Sequence, residues 1–215
     1  MKNILTRIPK PIKSLIRKCL PMLQMRSVHR VSLDGKLIPI MKDVTTGKVL
    51  DVGSMHSPYR KHLKCDEYVR FDVDESSEPD ICGDLHDMKI PDNSYDCVIA
   101  TEVLEHLYDP IRAMEEIRRV LKPGGCCIMS TPFLYCYHGS PNDYYRFTWD
   151  SLSYICREFT KVDVQHHGNL ILFLWQLLND NPLTAIFSNL FNPIVGKIQF
   201  KNTIYPSGFV AVAYK

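Results

Sequence analysis

No stretch of this sequence is apolar for long enough to cross a bilayer. The longest run, LILFLWQLL at 170–178, is interrupted by Gln176 and is about half the length a spanning helix needs. Residues 1–33 contain no acidic side chain, and no small-residue cleavage site follows an apolar core there, so the segment does not read as a signal peptide. The eight cysteines include no Cys-x-x-Cys pair, which argues against a zinc site, and no metal is expected. Cys82, Cys97, Cys126 and Cys127 lie in or beside apolar, strand-like runs and read as reduced, buried thiols of a cytosolic protein. Glycine is missing where a nucleotide-binding turn would concentrate it. In VLDVGSMHSPY at 49–59 only Gly53 remains. The segment GSMHSP fails the Gly-x-Gly-x-x-Gly pattern that seats a pyrophosphate on a helix N-terminus, and no P-loop is present.

What is present is globular in character, with 45% hydrophobic and 23% charged residues. The net charge of +2 is unevenly placed. Eight basic residues fall in 1–33, and the rest of the chain holds 18 basic against 24 acidic residues. A basic arm over residues 1–40 thus precedes an acidic body over 41–215. In the arm, Ile12, Leu15, Ile16 and Cys19 share one helical face away from Lys13, Arg17 and Lys18. Two readings stay open for this short amphipathic helix: peripheral contact with a membrane surface, or packing on its own domain. An acidic body with basic residues confined to the arm argues against nucleic-acid binding.

From residue 48 the pattern alternates. Strands are expected at KVLDVG, EYVRFDVD (67–74), PDICGDL (79–85), YDCVIAT (95–101), CCIMSTP (126–132), KVDVQHH (161–167) and GFVAVAYK. Ser57 and Pro58 suggest a helix start after the first strand. Asp109 and Pro110 start a second helix, with Ile111, Met114, Ile117 and Leu121 on one face and Glu115 able to pair with Arg118 or Arg119. KPGG at 122–125 is expected to stop it, and Thr148 to cap another. Residues 168–200 read as a helical insertion or lid. Alternating strands and helices predict an α/β fold, a Rossmann-like doubly wound and mostly parallel sheet.

Ligands of such sheets bind beyond the carboxyl ends of the strands. That rule selects Asp51 and the turn Gly53, Ser54 and Met55; Asp72 and Val73; Asp84 and Leu85; and Thr101, Glu102 and His106. An acidic residue at Asp72, after the second strand, suits the two ribose hydroxyls of an adenosine cofactor. Asp84 could accept from an adenine amino group. Each aspartate alone is as readily a cap or turn residue. In succession they favour an adenosine pocket, and a turn poor in glycine suits a cofactor without phosphate, S-adenosylmethionine.

The segments VLDVGSMHSPYRKHL, FDVDES, GDLHDMKIPDNSYDCVIATEVLEHLYDP and EEIRRVLKPGGCCIMSTPF resemble, in order and spacing, the motifs of class I S-adenosylmethionine-dependent methyltransferases of the type 11 group. The resemblance covers roughly residues 47–150. It implies a seven-stranded sheet whose last strand is antiparallel. It implies that Asp51 and Gly53 line the methionine part of the cofactor, that Asp72 holds the ribose, and that Asp84 with Leu85 frames adenine. Glu102 and His106 would border the transfer centre. Met55 stands where the family's loop has its second glycine and Ser57 where it has the third. The pocket should tolerate Met55 if φ stays negative there.

TPFLYCYHGSPNDYYRFTWDSL at 131–152 lies beyond the fifth strand, on the acceptor side, and resembles a segment of type 11 relatives often found near bacterial glycan genes. His138 is the first candidate base, because imidazole titrates near neutral pH. Asp143 could orient it or act as base itself. Arg146 could grip an anionic or hydroxyl-rich acceptor, and Tyr137, Tyr144 and Tyr145 could contact a sugar face or aromatic ring. The structural alternative pairs Arg146 with Asp143 and packs the tyrosines as a corner.

The leading expectation is therefore methyl transfer from S-adenosylmethionine to a small-molecule or saccharide acceptor, at a hydroxyl oxygen. C- or N-methylation of a quinone, lipid or amine is a second expectation. A cofactor-binding scaffold without turnover is a third. A cytoplasmic location, peripheral at a membrane if the arm binds lipid, fits each of them, and the apolar 168–200 segment also suits a homodimer.

Overall fold

The computed structural model describes residues 27–43, 45–55, 57–139, 141–180 and 184–215. The amphipathic helix expected around Ile12–Cys19 lies outside the described residues. Two compact units emerge. One comprises Lys36–His167 and Gly208–Lys215, the other, among the described residues, 27–35 with Gly168–Ser207.

The first unit carries a seven-stranded sheet. Its strands are β1 (Thr45–Val52), β2 (Lys64–Asp72), β3 (Ile81–Cys82), β4 (Tyr95–Thr101), β5 (Leu121–Pro132), β6 (Lys161–His167) and β7 (Gly208–Tyr214), in spatial order β3-β2-β1-β4-β5-β7-β6. β1 is paired in parallel with both β2 and β4, and β7 runs antiparallel between β5 and β6. Sequence order reverses direction at β1, so the carboxyl ends of β1 and β4 open the crevice where such sheets take ligands. Leu50, Val98, Ile99, Ile128 and Met129 are fully buried, as expected for central strands covered on both faces.

Helix α1 covers Val28–Asp43, α2 Pro110–Val120, α3 Trp149–Ile155, α4 Leu170–Asp180 and α5 Ala185–Val195. The Asp109 carboxylate accepts from the Arg112 backbone at 3.0 Å and caps α2 with Pro110 at its start, as expected. Thr148 caps α3 through a reciprocal bond with Ser151.

Several expectations fail locally. No α-helix follows β1. Met55 and Ser57 take left-handed backbone conformations, and only a 3₁₀ turn at Arg60–His62 precedes β2. Ser57 is therefore not a helix cap. α1 crosses residue 40, where the arm was expected to end, although Gly35 and Pro39 lie inside it. Glu115 pairs with Arg112, and Glu116 takes Arg119 as well as Arg112. α2 ends at Val120, and the KPGG segment leads β5. Cys97, Cys126 and Cys127 are buried free thiols, but Cys82 is exposed because it lies on the two-residue edge strand.

The second unit contains the two helices of the 168–200 segment. Trp175 and Asn179 on α4 both donate to Asn192 Oδ1 of α5 at 3.0 Å. Gln199 donates to Ser32 Oγ at 2.7 Å. No helix among the described residues is long and apolar enough to cross a membrane.

Candidate active site

A cleft of about 220 Å³ opens at the carboxyl ends of β1, β2 and β4. Gly53, Asp72, Val73, Asp84, Leu85 and His106 line it, six of the residues selected from sequence. Gly53 sits at φ +63°, and a Cβ there would lie 2.6 Å from Val103 Cγ2. Only glycine allows the turn to pass this close.

Asp72 is buried and holds the turn as well as facing the cleft. Its Oδ2 accepts from the Met55 backbone N–H at 3.2 Å and its Oδ1 from the Asp74 N–H at 3.1 Å. Met55 is exposed and adopts φ +40°, contrary to the condition expected of it. Its N–H is anchored by Asp72 and its carbonyl by Arg70 at 3.2 Å, and these two bonds offset the backbone cost. The side chain points out to solvent rather than blocking the turn.

Asp51 is buried beneath the turn and does not line the cleft. Burial raises its carboxyl pKa to about 7, against the opposing hydrogen bond from Tyr68. Asp84 accepts from both the backbone N–H of His86, at 2.9 Å, and the His86 ring, at 2.6 Å, and the backbone bond holds its pKa below the ordinary value. His86 in turn stacks on Tyr108, ring centres 4.0 Å apart.

On the other side of the cleft, Glu102 follows β4 at φ +54° and accepts from Ser130 Oγ at 2.8 Å. The 3₁₀ turn Leu104–His106 places Glu105 beneath the surface, fully buried. Among the described residues neither Glu105 oxygen has a hydrogen-bond donor within reach. The Nε2 atoms of His106 and His138 each stand 3.7 Å from its Oε1. Burial pushes the Glu105 carboxyl pKa up, and the neighbouring Glu105 holds the His138 imidazole above its ordinary value, with Asp143 adding to it.

Asp143 and Arg146 form a two-pronged pair, which holds the Asp143 pKa down at about 2. Asp143 also accepts from the His138 backbone at 3.0 Å and faces His138 Nδ1 at 3.3 Å. The Arg146–Asp143 pair is the one the structural alternative named, and Asp143 also holds His138. Tyr137 and Tyr144 remain exposed, while Tyr145, also partly exposed, donates its hydroxyl to the Tyr108 carbonyl and packs its ring near Phe147.

Residues 50–129 match a family model described as a methyltransferase domain. The chain carries a class I S-adenosylmethionine-dependent methyltransferase domain. A probable S-adenosylmethionine-dependent methyltransferase of Mycolicibacterium smegmatis is 44% identical over 50 residues, 23% of this chain and 20% of that protein. A demethylmenaquinone methyltransferase of Paenarthrobacter aurescens is 30% identical over 133 residues, 56% of this chain and 50% of that one. This chain thus spans no more than half the length of either relative. Among solved structures, a possible histamine N-methyltransferase of Thermotoga maritima superposes with a TM-score of 0.58 at 16% identity, covering 87% of this chain and 91% of that one. A methyltransferase of Archaeoglobus fulgidus gives 0.56 at 15% identity, covering 94% and 99%. At these identities the agreement concerns the fold.

The methyltransferase domain fits its cofactor on its own geometry. The Asp72 carboxylate keeps lone pairs beyond those used by the two backbone bonds, and the buried Ser54 hydroxyl has no partner among the described residues. Asp72, Val73 and Leu85, the residues expected at the adenosine part, line the cleft together. Asp51 and Ser54 lie toward the turn. Thr101 ends β4 without lining the cleft. His86, Val103 and Tyr108 line it and were not singled out from sequence. Their signal was faint: His86 follows the aspartate of GDLH, and Tyr108 precedes a helix cap.

Proposed function

We propose that this chain transfers a methyl group from S-adenosylmethionine to a hydroxyl oxygen of a small-molecule or saccharide acceptor. The observation that carries this reading is His138, held between Asp143 and Glu105 and in ring contact with His106, which lines the cleft. The bound cofactor supplies an activated methyl group on a cationic sulfur. His138 receives the proton of the acceptor hydroxyl, and its raised pKa favours keeping it. Asp143, paired with Arg146, positions the imidazole rather than acting as base, since a carboxyl with a pKa of about 2 is a poor proton acceptor at neutral pH. The exposed rings of Tyr137 and Tyr144 suit contact with a sugar face.

The test is S-adenosylhomocysteine formation with glycoside acceptors. His138→Ala should lower kcat by about 10²–10⁴-fold while leaving cofactor affinity unchanged. Full activity in His138→Ala would remove the histidine from the chemistry.

A second reading is C-methylation of a lipid or quinone. Its support is the apolar surface of the second unit, where Leu174, Leu177, Leu178 and Ile194 are exposed, together with the demethylmenaquinone methyltransferase among the relatives. Turnover of a quinol acceptor and none of any glycoside would select it.

A further inference from the structure

We propose that Glu105, His106 and His138 form a binding site for one divalent transition-metal ion at the acceptor side of the cleft, against the expectation from sequence that no metal is held. The site is a buried carboxylate facing two imidazoles. Glu105 is fully buried, yet among the described residues neither of its oxygens is within hydrogen-bond distance of a donor. A buried carboxylate faced by two imidazoles just beyond hydrogen-bond distance is costly, and calls for a cation or ordered solvent between them.

The arrangement of the rings identifies which. Both Nε2 atoms stand 3.7 Å from the same Glu105 oxygen, and the three ligand atoms lie within 4.8 Å of one another. At that separation they are too far apart to hydrogen-bond. Two atoms bound to one ion at about 2.0–2.2 Å, with angles between square and trigonal, stand about 3–3.7 Å apart. The set therefore needs only a small contraction to close on an ion.

The far side of each ring is also prepared. His106 Nδ1 meets the Asn142 backbone carbonyl. His138 Nδ1 is 3.3 Å from the Cys136 carbonyl and 3.3 Å from Asp143 Oδ2. These acceptors hold the proton on Nδ1 and leave the Nε2 lone pairs directed at Glu105, the arrangement that outer carboxylates and carbonyls impose on metal-bound histidines. Asp143 is in turn held by Arg146, so the ring orientation is fixed two residues deep. Two imidazoles and one carboxylate suit Zn²⁺, Co²⁺, Mn²⁺ or Fe²⁺ and leave coordination positions open. His106 lines the cleft, so an open position is reachable by an acceptor oxygen.

Metal binding here does not depend on the activity proposed above. The role of the ion does rest on that reading: the ion would hold the acceptor oxygen and lower the pKa of its hydroxyl, as it does that of bound water, so that the proton passes to solvent water instead of to His138. His138 is then a ligand.

The test is titration of chelator-treated full-length protein with Co²⁺, read by visible absorption, and with Zn²⁺, read by calorimetry. One equivalent should bind with micromolar or tighter Kd, and Zn²⁺ should displace the Co²⁺ spectrum. His106→Gln and His138→Gln should each weaken binding at least about tenfold and alter the spectrum, with folding checked by circular dichroism. Because Glu105 is buried, Glu105→Gln is the carboxylate variant least liable to unfold the chain. No saturable binding below millimolar metal overturns the site, as does binding unaffected by both histidine variants. Methyl transfer by chelated protein at the full rate overturns the role of the ion while sustaining the activity. Stoichiometric metal binding without cofactor turnover does the reverse.

Discussion

Tyr68 on β2 donates its phenolic hydrogen to the carboxylate of Asp51 on β1, a side chain only 3% exposed. The bond places a titratable pair directly beneath the turn that carries Gly53. Burial raises the Asp51 pKa to about 7, while the unfolded chain holds it near 3.8. Between those values the folded state retains a proton that the unfolded state has lost. The resulting stabilisation is full below about pH 4 and is lost as pH rises through 7. The melting temperature of the cofactor-free protein should therefore fall across that window, and Asp51→Asn should flatten the slope. Parallel slopes in the two proteins would assign the proton elsewhere.

The same carboxyl should couple cofactor binding to pH. S-adenosylmethionine carries an ammonium group, and a cation beside Asp51 favours its ionised form. Binding should release a proton below pH 7 and tighten up to about tenfold per pH unit as pH rises toward 7. Calorimetry in two buffers of different ionisation enthalpy measures the released proton. No release at pH 6 would place the ammonium away from Asp51.

Asp72 has two tasks, and its loss should show both. Asp72→Ala removes the acceptor of the Met55 and Asp74 N–H groups and, on the proposed placement of the cofactor, the charged acceptor of its ribose. Cofactor affinity should drop by about 2–4 kcal/mol. Asp72→Asn, which keeps an acceptor for at least one N–H, should lose less. An Asp72→Ala protein with unchanged affinity would mean that the cleft is not the cofactor site.

Gly53 and Val103 should be coupled. Gly53→Ala sets a Cβ 2.6 Å from Val103 Cγ2 at a left-handed φ, so it should destabilise by about 1–3 kcal/mol. Val103→Ala frees the space but not the backbone, and the double variant should recover part of the loss. Strict additivity in a denaturation cycle would show that the two side chains do not meet.

Met55 should tolerate the glycine that the turn lacks. At φ +40° a side chain costs about 1 kcal/mol, so Met55→Gly should raise stability or leave it level. Because the side chain is exposed, cofactor affinity should stay within about twofold. A large loss of affinity would assign the Met55 side chain a direct contact.

The periodicity of this sequence was sufficient for the sheet. Runs such as YDCVIAT and KVDVQHH are bounded by turns and match β4 and β6 residue for residue. The antiparallel last strand came only from the family resemblance, and the place of β7 between β5 and β6 was not in the periodicity. The same runs placed Asp72, Asp84 and His106 at strand ends, because a strand end is a local property. Backbone sign was not legible. Nothing in SMHS announces that Met55 and Ser57 turn left-handed, since Asp72 and Arg70, distant in sequence, hold that conformation. α1 was equally hidden, as Gly35 and Pro39 argue against a helix that burial of Leu33, Leu37 and Met41 sustains.

By itself, then, the sequence determined a mostly parallel α/β sheet, the cofactor class its first turn suits, and a histidine on the loop after the fifth strand. Only the tertiary structure decided that Glu105, one residue before a recognisable His106, lies fully buried, and that His138, far along the chain, turns toward the same oxygen. Residue type and spacing encode which groups are available. Which of them share a desolvated volume depends on contacts between segments remote in sequence, and that determines their charge and their chemistry.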